Sequence, residues 1–558
     1  MNELGDMAAA QRPLHALNRL GFGPRPGDVA AVAASGTNAY IAQQLHPQSI
    51  AVPDSLRQRI ASYRTLHMSP GALFYEYQLP IIQTQRAYRD DKDALQRALP
   101  ELRKKGRVVY LEASDARLLR AIEGPRQLQE VMTAFWFNHF NVFVGKGFDR
   151  FWIGSFEQDA IRPNTLGRFR TLLGATAKHP AMLFYLDNWE NTQPDSPGAK
   201  NRFEGINENY ARELMELHTL GVDGGYTQQD VIALAHILTG WGLPNGRGNF
   251  NNGGEARRRP FSGLDLDRHL HFGAMPAGDQ PFTSANFFFF DADRHDFSTK
   301  VLLGETIDGG GIAEGERALD LLAQHPSTAK HLSYQLAQYF VADDPPKALV
   351  ARMAERYLQT DGHIGAMLET MFNSHEFWAR EYYASKFKTP YEYVISAARA
   401  SGAPVTNFRP LYGTMALLGM PLYGCQTPNG YSNTRDAWLN PDAMMARLSF
   451  ATALSRGNLP LEHPPFLEDD AMAAGGDAEP KPPPVPTAKN PDAGAKSVRF
   501  DYLANRAPAV PKMTPPDPQQ VAMTLGNNFS IDTRAAVEAA NPDLRSALLL
   551  GSPEFMKR

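Results

Sequence analysis

Apolar residues recur at intervals of three and four over much of this chain, the spacing that gathers them on one face of an α-helix. The pattern runs through "TNAYIAQQLH" (37–46), "ARLLRAIEGPRQLQEVMTAFWFNHF" (116–140), "GRFRTLLGATAKHPAMLFYLDN" (167–188), "GERALDLLAQHPSTAKHLSYQLAQYFV" (315–341) and "PKALVARMAERYLQT" (346–360). "HPAM" and "HPST" put proline where a first helical turn tolerates it. Thr227 stands three residues before Asp230, a carboxylate form of the capping box. Strict alternation is scarce, and "NFFFFDAD" (286–293) is the best strand candidate. The pattern predicts a mainly α fold: a large multi-helix domain with long surface loops and little β.

The helical rhythm breaks twice. Residues 242–285 are rich in Gly, Asn and Arg, with few apolar positions in register, and read as a long surface excursion. Residues 459–520 contain "EPKPPPVPTAKNPDAG" and "APAVPKMTPPDP". That composition cannot bury enough apolar surface to fold alone, so it reads as extended or disordered. The expected organisation is a helical domain over 1–458, the Pro-rich segment over 459–520, and a C-terminal helix within 521–558 packing back on the main domain.

Composition narrows the function classes. The chain has 558 residues, a formal net charge of -4 and 43% hydrophobic residues, enough for a large core. No part is strongly basic, which argues against nucleic-acid binding. "RKKG" at 103–106 reads as a solvated face on a surface connection. The single cysteine, Cys425, excludes an intramolecular disulfide and a thiolate zinc cluster. No apolar run approaches the ~20 residues of a membrane span. No basic segment precedes an apolar run near residue 1, so a cytoplasmic location is the default expectation.

The densest candidate chemistry is "NENYARELMELHTLGVDGGYTQQDV" (207–231). At about 100° per residue, Glu208, Arg212 and Glu216 form an acid–base–acid ladder on the polar side. His218 falls in the apolar arc and Glu213 on its border. In a regular helix neither Glu213 nor Glu216 shares an ion easily with His218. Glu213 is therefore either a partly desolvated carboxylate suited to acid/base work, or a packing residue paired with an arginine from elsewhere. A second candidate is "DADRHD" (291–296), where His295 and Asp296 offer catalytic or metal-binding groups. Equally, Asp296 could cap a helix beginning "FSTK", and Lys300 could pair with it. In "MTAFWFNHFNVF" (132–143), Met132, Trp136, His139 and Phe143 share one face, the pattern of a core stripe. His139 there needs a hydrogen-bond partner, as does His236 in "VIALAHILTGW". If the helices converge, His139, His218, His295 and Asp296 could hold a divalent metal beside Glu213. Trp136, Asn209 and Trp241 are the candidates for contacting a substrate. No phosphate loop, nucleophile elbow or His-Glu-x-x-His helix is present.

Beyond these readings, "LNRLGFGPRPGDV" (17–29), "FWFNHF" (135–140), "HPAMLFYLDN" (179–188), the 207–231 stretch, "LTGW" (238–241), "RHDFSTKVLLG" (294–304), "KTPYEYVISAARA" (388–400), "PNGY" (428–431) and the closing "SPEF" carry a resemblance. In order and content they resemble the bacterial family catalogued as domain of unknown function 1800, over nearly the whole chain. The resemblance carries no catalytic residues with it. It implies a partner, because members are often encoded beside a protein that looks like sulfatases and alkaline phosphatases, and many are exported. Three functions follow as expectations. One is a hydrolase using Glu213 with a metal-holding His295/Asp296 site. Another is a scaffold or escort for that partner or for a surface polymer. The third is a glycan-active or glycan-binding protein whose tryptophans stack on sugars.

Overall fold

The computed structural model describes residues 5–199, 205–244, 287–462 and 513–558. Most of the excursion expected at 242–285 and of the Pro-rich segment expected at 459–520 lies outside these residues. The described chain is mainly α. Its helices include α1 (Arg12–Arg19), α2 (Lys92–Glu123), α3 (Gln127–His139), α4 (Phe169–Ala177), α5 (Pro180–Tyr185), α6 (Asn209–Glu213) and α7 (Gln228–Ile237). Later in the chain come α8 (Ile312–Gln324), α9 (Pro326–Phe340), α10 (Lys347–Gln359), α11 (Ile364–Phe372), α12 (Pro390–Ser401), α13 (Pro441–Ser455) and α14 (Pro542–Leu550). Two small two-stranded antiparallel sheets interrupt them. In one, β1 (Trp241–Gly242) pairs with β2 (Phe289–Phe290) inside the predicted strand; in the other, β3 (Lys300–Leu302) pairs with β4 (Glu305–Ile307).

Several predicted helices divide, and each division has a local cause. The 116–140 pattern splits at Gly124, where α2 ends; the Gln127 side chain turns back to donate to the carbonyls of Ala121 (3.1 Å) and Gly124 (2.8 Å). The 167–188 and 315–341 patterns split at His-Pro pairs. His179 Nδ1 accepts from the Ala181 amide (3.2 Å), and His325 Nδ1 from the Ser327 amide (3.1 Å). Each histidine thus caps the helix that its proline begins, taking up an amide hydrogen that a helix start leaves unbonded. Thr227 and Asp230 form the reciprocal capping box at the start of α7. "RKKG", expected on a surface connection, lies instead inside the 32-residue α2, where Gly106 is buried against the Phe151 ring. A side chain at 106 would collide with that ring. The helix expected from "FSTK" is also absent: Lys300 opens strand β3, and Asp296 closes a local turn by accepting from the Ser298 amide (2.8 Å).

One hydrophobic core extends from Met7 to Met556 and includes the indoles of Trp136, Trp152 and Trp241, all fully buried. A smaller cluster joins Leu73, Tyr77, Ile81, Leu99, Val109 and Phe151. Within the fold, α9 packs on α10, α10 on α11, and α13 on α14. Phe387 and Lys557 form an antiparallel bridge, with the Lys388 amide donating to the Met556 carbonyl (2.8 Å). Charge is also buried. Arg162 bonds Glu130 (2.6 Å) and Glu157 (3.0 Å), Arg117 bonds Glu157 (3.0 Å), and the Tyr423 hydroxyl donates to Glu157 (3.0 Å). Each carboxylate oxygen finds a donor, which is what a buried ion pair requires to offset its desolvation.

Candidate functional site

The site is best built from α6 outward. Its first turn is regular, but residues Leu214–His218 form a π-helical turn. The Thr219 hydroxyl donates back to the Leu214 carbonyl (2.6 Å), five residues earlier. The wheel drawn at a constant 100° therefore fails after Glu213, because the widened turn brings residues five apart into line. The ladder survives, with Glu216 inside the widened turn. Arg212 bonds Glu208 (2.9 Å) and reaches Glu216 (3.5 Å), with Gln228 of α7 joining at 2.9 Å.

Glu213 is half-buried and, among the described residues, makes no hydrogen bond and no ion pair. The arginine partner considered for it is not found among the described residues. Burial first, and then repulsion from Glu216, push its carboxyl up from the usual range, against the pull of Arg212. It lies within electrostatic reach of Tyr185, at the end of α5. One turn before Glu213, the Asn209 side chain donates to the Leu186 carbonyl (3.2 Å). The segment 185–187 is a polar hub. Lys146 donates to the Tyr185 carbonyl (2.6 Å) and to Asp187 (2.6 Å), and the Tyr185 hydroxyl donates to the Gln426 carbonyl (2.9 Å). Asp149 is wholly buried, with neither carboxylate oxygen hydrogen-bonded among the described residues; burial pushes its carboxyl well above the usual range, against the pull of Lys146.

A second group gathers His139, His218 and His331. The ring centroids of His139 lie 5.9 Å from His218 and 6.5 Å from His331. His139 faces two oxygens, the His218 carbonyl from Nε2 (3.1 Å) and Gln335 Oε1 from Nδ1 (2.9 Å); a neutral ring donates to one of them, and turning the Gln335 amide over would present its NH2 to Nδ1. Burial pushes His139 down to about 3 and His218 well below the usual range, so both rings are neutral. Among the described residues neither nitrogen of His218 has a hydrogen-bond partner. Its nearest ring, Phe140, is 5.0 Å away between centroids.

The third group holds His295 and Asp296, which lie side by side with His236, Lys300 and Glu314. His295 Nε2 faces Glu314 (2.8 Å), and Nδ1 faces the Thr239 carbonyl (2.8 Å), so neither nitrogen is open to a further ligand. Lys300 bonds the other oxygen of Glu314 (2.7 Å) and the Asp296 carbonyl. Its approach to the Asp296 carboxylate is longer, 3.9 Å. His236 Nδ1 donates to Asp296 (2.6 Å). Burial works to raise both carboxyls. Bonds from Ser298, Lys300 and His236 outweigh it at Asp296, and bonds from His295 and Lys300 outweigh it at Glu314, leaving both below the usual range.

Glu213 with Asn209, His139 with His218, and His295 with Asp296 thus occupy three separate networks. Among the described residues no three His, Cys, Asp or Glu side chains form a group able to hold a metal ion. Trp136 donates its indole N–H to the Thr165 carbonyl (3.0 Å), and the rings of both Trp136 and Trp241 are wholly buried, so neither offers a face to a ligand at the surface. Sequence reasoning passed over Glu314, Tyr185 and His331. Glu314 had a local signal: it stands three residues after Gly311, and its carboxylate accepts from the Gly311 amide (3.1 Å) at the start of α8. Tyr185 and His331 had none, since only tertiary packing brings them to their partners.

Fold and site together define a mainly α protein whose buried polar groups are distributed over several networks. The chain belongs to the family described as a protein of unknown function, DUF1800, whose model matches residues 15–557. No curated protein and no solved structure matches it. No described helix is long and apolar enough to cross a membrane.

Proposed function

We propose that this protein is a non-catalytic scaffold or escort that docks a sulfatase/phosphatase-like partner. The observation that carries this reading is an exposed apolar row along α13. Met445 and Leu448 stand one turn apart at 64% and 39% exposure, and Leu439 just before the helix is 46% exposed. Apolar side chains grouped on one element favour a binding surface over chance exposure. The spent chemistry elsewhere supports the same reading. His139, His295 and Asp296 use their polar atoms on internal bonds, as structural groups do. The test is to mix the purified chain with the purified sulfatase/phosphatase-like protein encoded beside it and measure co-elution by size-exclusion chromatography. Co-elution in the wild type that is lost in a Met445→Glu/Leu448→Glu double variant supports docking. Separate elution at micromolar concentrations overturns it.

A second reading, a hydrolase, is favoured by Glu213 alone. A half-buried carboxyl with a raised pKa and no hydrogen bond among the described residues suits a general base or acid. Tyr185 and Asn209 would then position a substrate beside it. Metal analysis of the purified chain separates the versions of this reading. A stoichiometric divalent metal lost on Glu213→Ala or His295→Ala supports metal-assisted hydrolysis, and a metal-free chain leaves only acid/base chemistry at Glu213. The glycan reading draws no support from Trp136 or Trp241, whose rings are enclosed.

A further inference from the structure

We infer that the cavity between residues 45–48, the start of α3 and the start of α11 is a binding site for a short peptide with both termini charged. The cavity has a volume of about 450 Å³, inside the ~300–1,000 Å³ of small-molecule sites. That size takes a dipeptide or tripeptide. Its wall includes no residue of α13 and none of the candidate side chains of the three networks.

Two opposite charges line this cavity without neutralising each other. Arg126 stands just before α3. Its Nε donates to the Ile50 carbonyl (3.0 Å), and among the described residues it has no carboxylate partner. Glu130, one turn further along, is spent on Arg162 (2.6 Å). Both terminal nitrogens of Arg126 are unbonded and open to solvent, unlike the sealed Nη1 atoms of Arg19 and Arg447. A guanidinium held at Nε presents its terminal pair as a fork that fits a carboxylate. Glu369, in α11, lines the same cavity; its side chain is exposed and makes no hydrogen bond or ion pair among the described residues. It would repel a polyanion. A ligand with a carboxylate at one end and an ammonium at the other satisfies both groups. His46 and His363 complete the titratable lining. His363 Nδ1 accepts from the Ala366 amide (3.2 Å), so Nε2 carries the ring hydrogen as a further donor.

The rest of the wall decides what lies between the two charges. The first amides of α11 are already bonded, Ile364 to the Gly167 carbonyl (2.8 Å), Gly365 to the Leu166 carbonyl (3.1 Å) and Ala366 to His363. The helix start therefore offers a carboxylate nothing, and its recognition falls to Arg126. Gln129 makes a single long bond, to the Arg162 carbonyl (3.5 Å), and its amide oxygen is open to accept from a peptide N–H. Leu45, Pro47, Pro163 and Leu166 supply apolar surface for side chains. Acid, amide and apolar side chain together describe a peptide rather than a simple salt.

The probe is leucyl-leucine, titrated into the full chain by isothermal calorimetry at constant pH and ionic strength, beside its N-acetylated and C-amidated forms. Saturable binding of the free dipeptide at one site is expected. Arg126→Gln should weaken it by about tenfold or more, the scale of a charge-assisted fork lost. Glu369→Gln alters an exposed side chain that bonds nothing in the described fold. It should weaken the free dipeptide about two- to fivefold, the scale of a partly exposed ion pair, and leave the N-acetylated form unchanged. That comparison separates contact with the ligand's ammonium from a general disturbance of the fold. Binding that follows this pattern establishes the site. No saturable binding to the wild type, or an affinity that neither variant and neither blocked terminus changes, overturns it.

Discussion

Two buried histidines, His295 and His218, occupy the same kind of environment and meet opposite fates. His295 has both nitrogens bonded, to Glu314 and to the Thr239 carbonyl, within a network that also ties down Lys300. Among the described residues His218 has neither nitrogen bonded, and burial first, then His139 and His331 nearby, keep it neutral. The difference teaches that exclusion from water does not by itself mark a functional histidine here. What surrounds the ring decides whether it holds structure together or only fills space. In the His295 network a removed partner leaves charges stranded, whereas at His218 a removed ring strands nothing.

Four substitutions test that contrast. Glu314→Ala should have the largest effect, because it leaves Lys300 and His295 buried without their carboxylate; a loss of about 3–5 kcal/mol is expected in urea unfolding. A loss below about 1 kcal/mol would mean the network is dispensable. His295→Leu removes one arm only and should cost about 1–3 kcal/mol by the same measurement, from the unpaired Thr239 carbonyl and the weakened Glu314. His218→Leu should change stability at neutral pH by less than about 1 kcal/mol, because no hydrogen bond of the ring is lost.

The same His218 variant sharpens the comparison through pH. His139 and His218 hold folded pKa values below the ordinary value of 6.5. As pH falls below that value the unfolded chain takes up the protons first, so stability is whole above about 6.5 and declines as pH drops toward the folded values. For His139 that lower limit is about 3. Removing His218 should flatten the acid limb of the stability curve by up to about 1.4 kcal/mol per pH unit. An unchanged slope would show that water or a proton already reaches the ring. Arg212→Ala should have the smallest effect, about 0.5–1 kcal/mol for two partly exposed helical pairs, and salt should diminish it.

The Glu208–Arg212–Glu216 ladder was legible in the sequence, because a spacing of four keeps its members neighbours even where Glu216 enters the π turn and its bond lengthens to 3.5 Å. So were the capping box at Thr227, the prolines at helix starts, and the burial of Trp136 and His218 on apolar faces. Spacing also put His295 and Asp296 in one place, as neighbours must be. It did not supply Glu314, which reaches His295 across 19 positions, or Gln335, which reaches His139 across 196. The π turn after Glu213 was equally hidden, since the apolar pattern does not distinguish a widened turn from a regular one.

By itself, then, the sequence determined the class of fold: apolar residues at helical period, few alternating runs, and His-Pro and Thr-x-x-Asp signals at helix starts all act within a few residues. Only the tertiary structure decided which polar side chains meet. It left Glu213 half-buried within electrostatic reach of Tyr185 and Arg212, without a hydrogen bond among the described residues, and divided the candidate histidines between two networks. Partners for a buried polar group come from wherever packing brings chain together, and residue period carries no record of that.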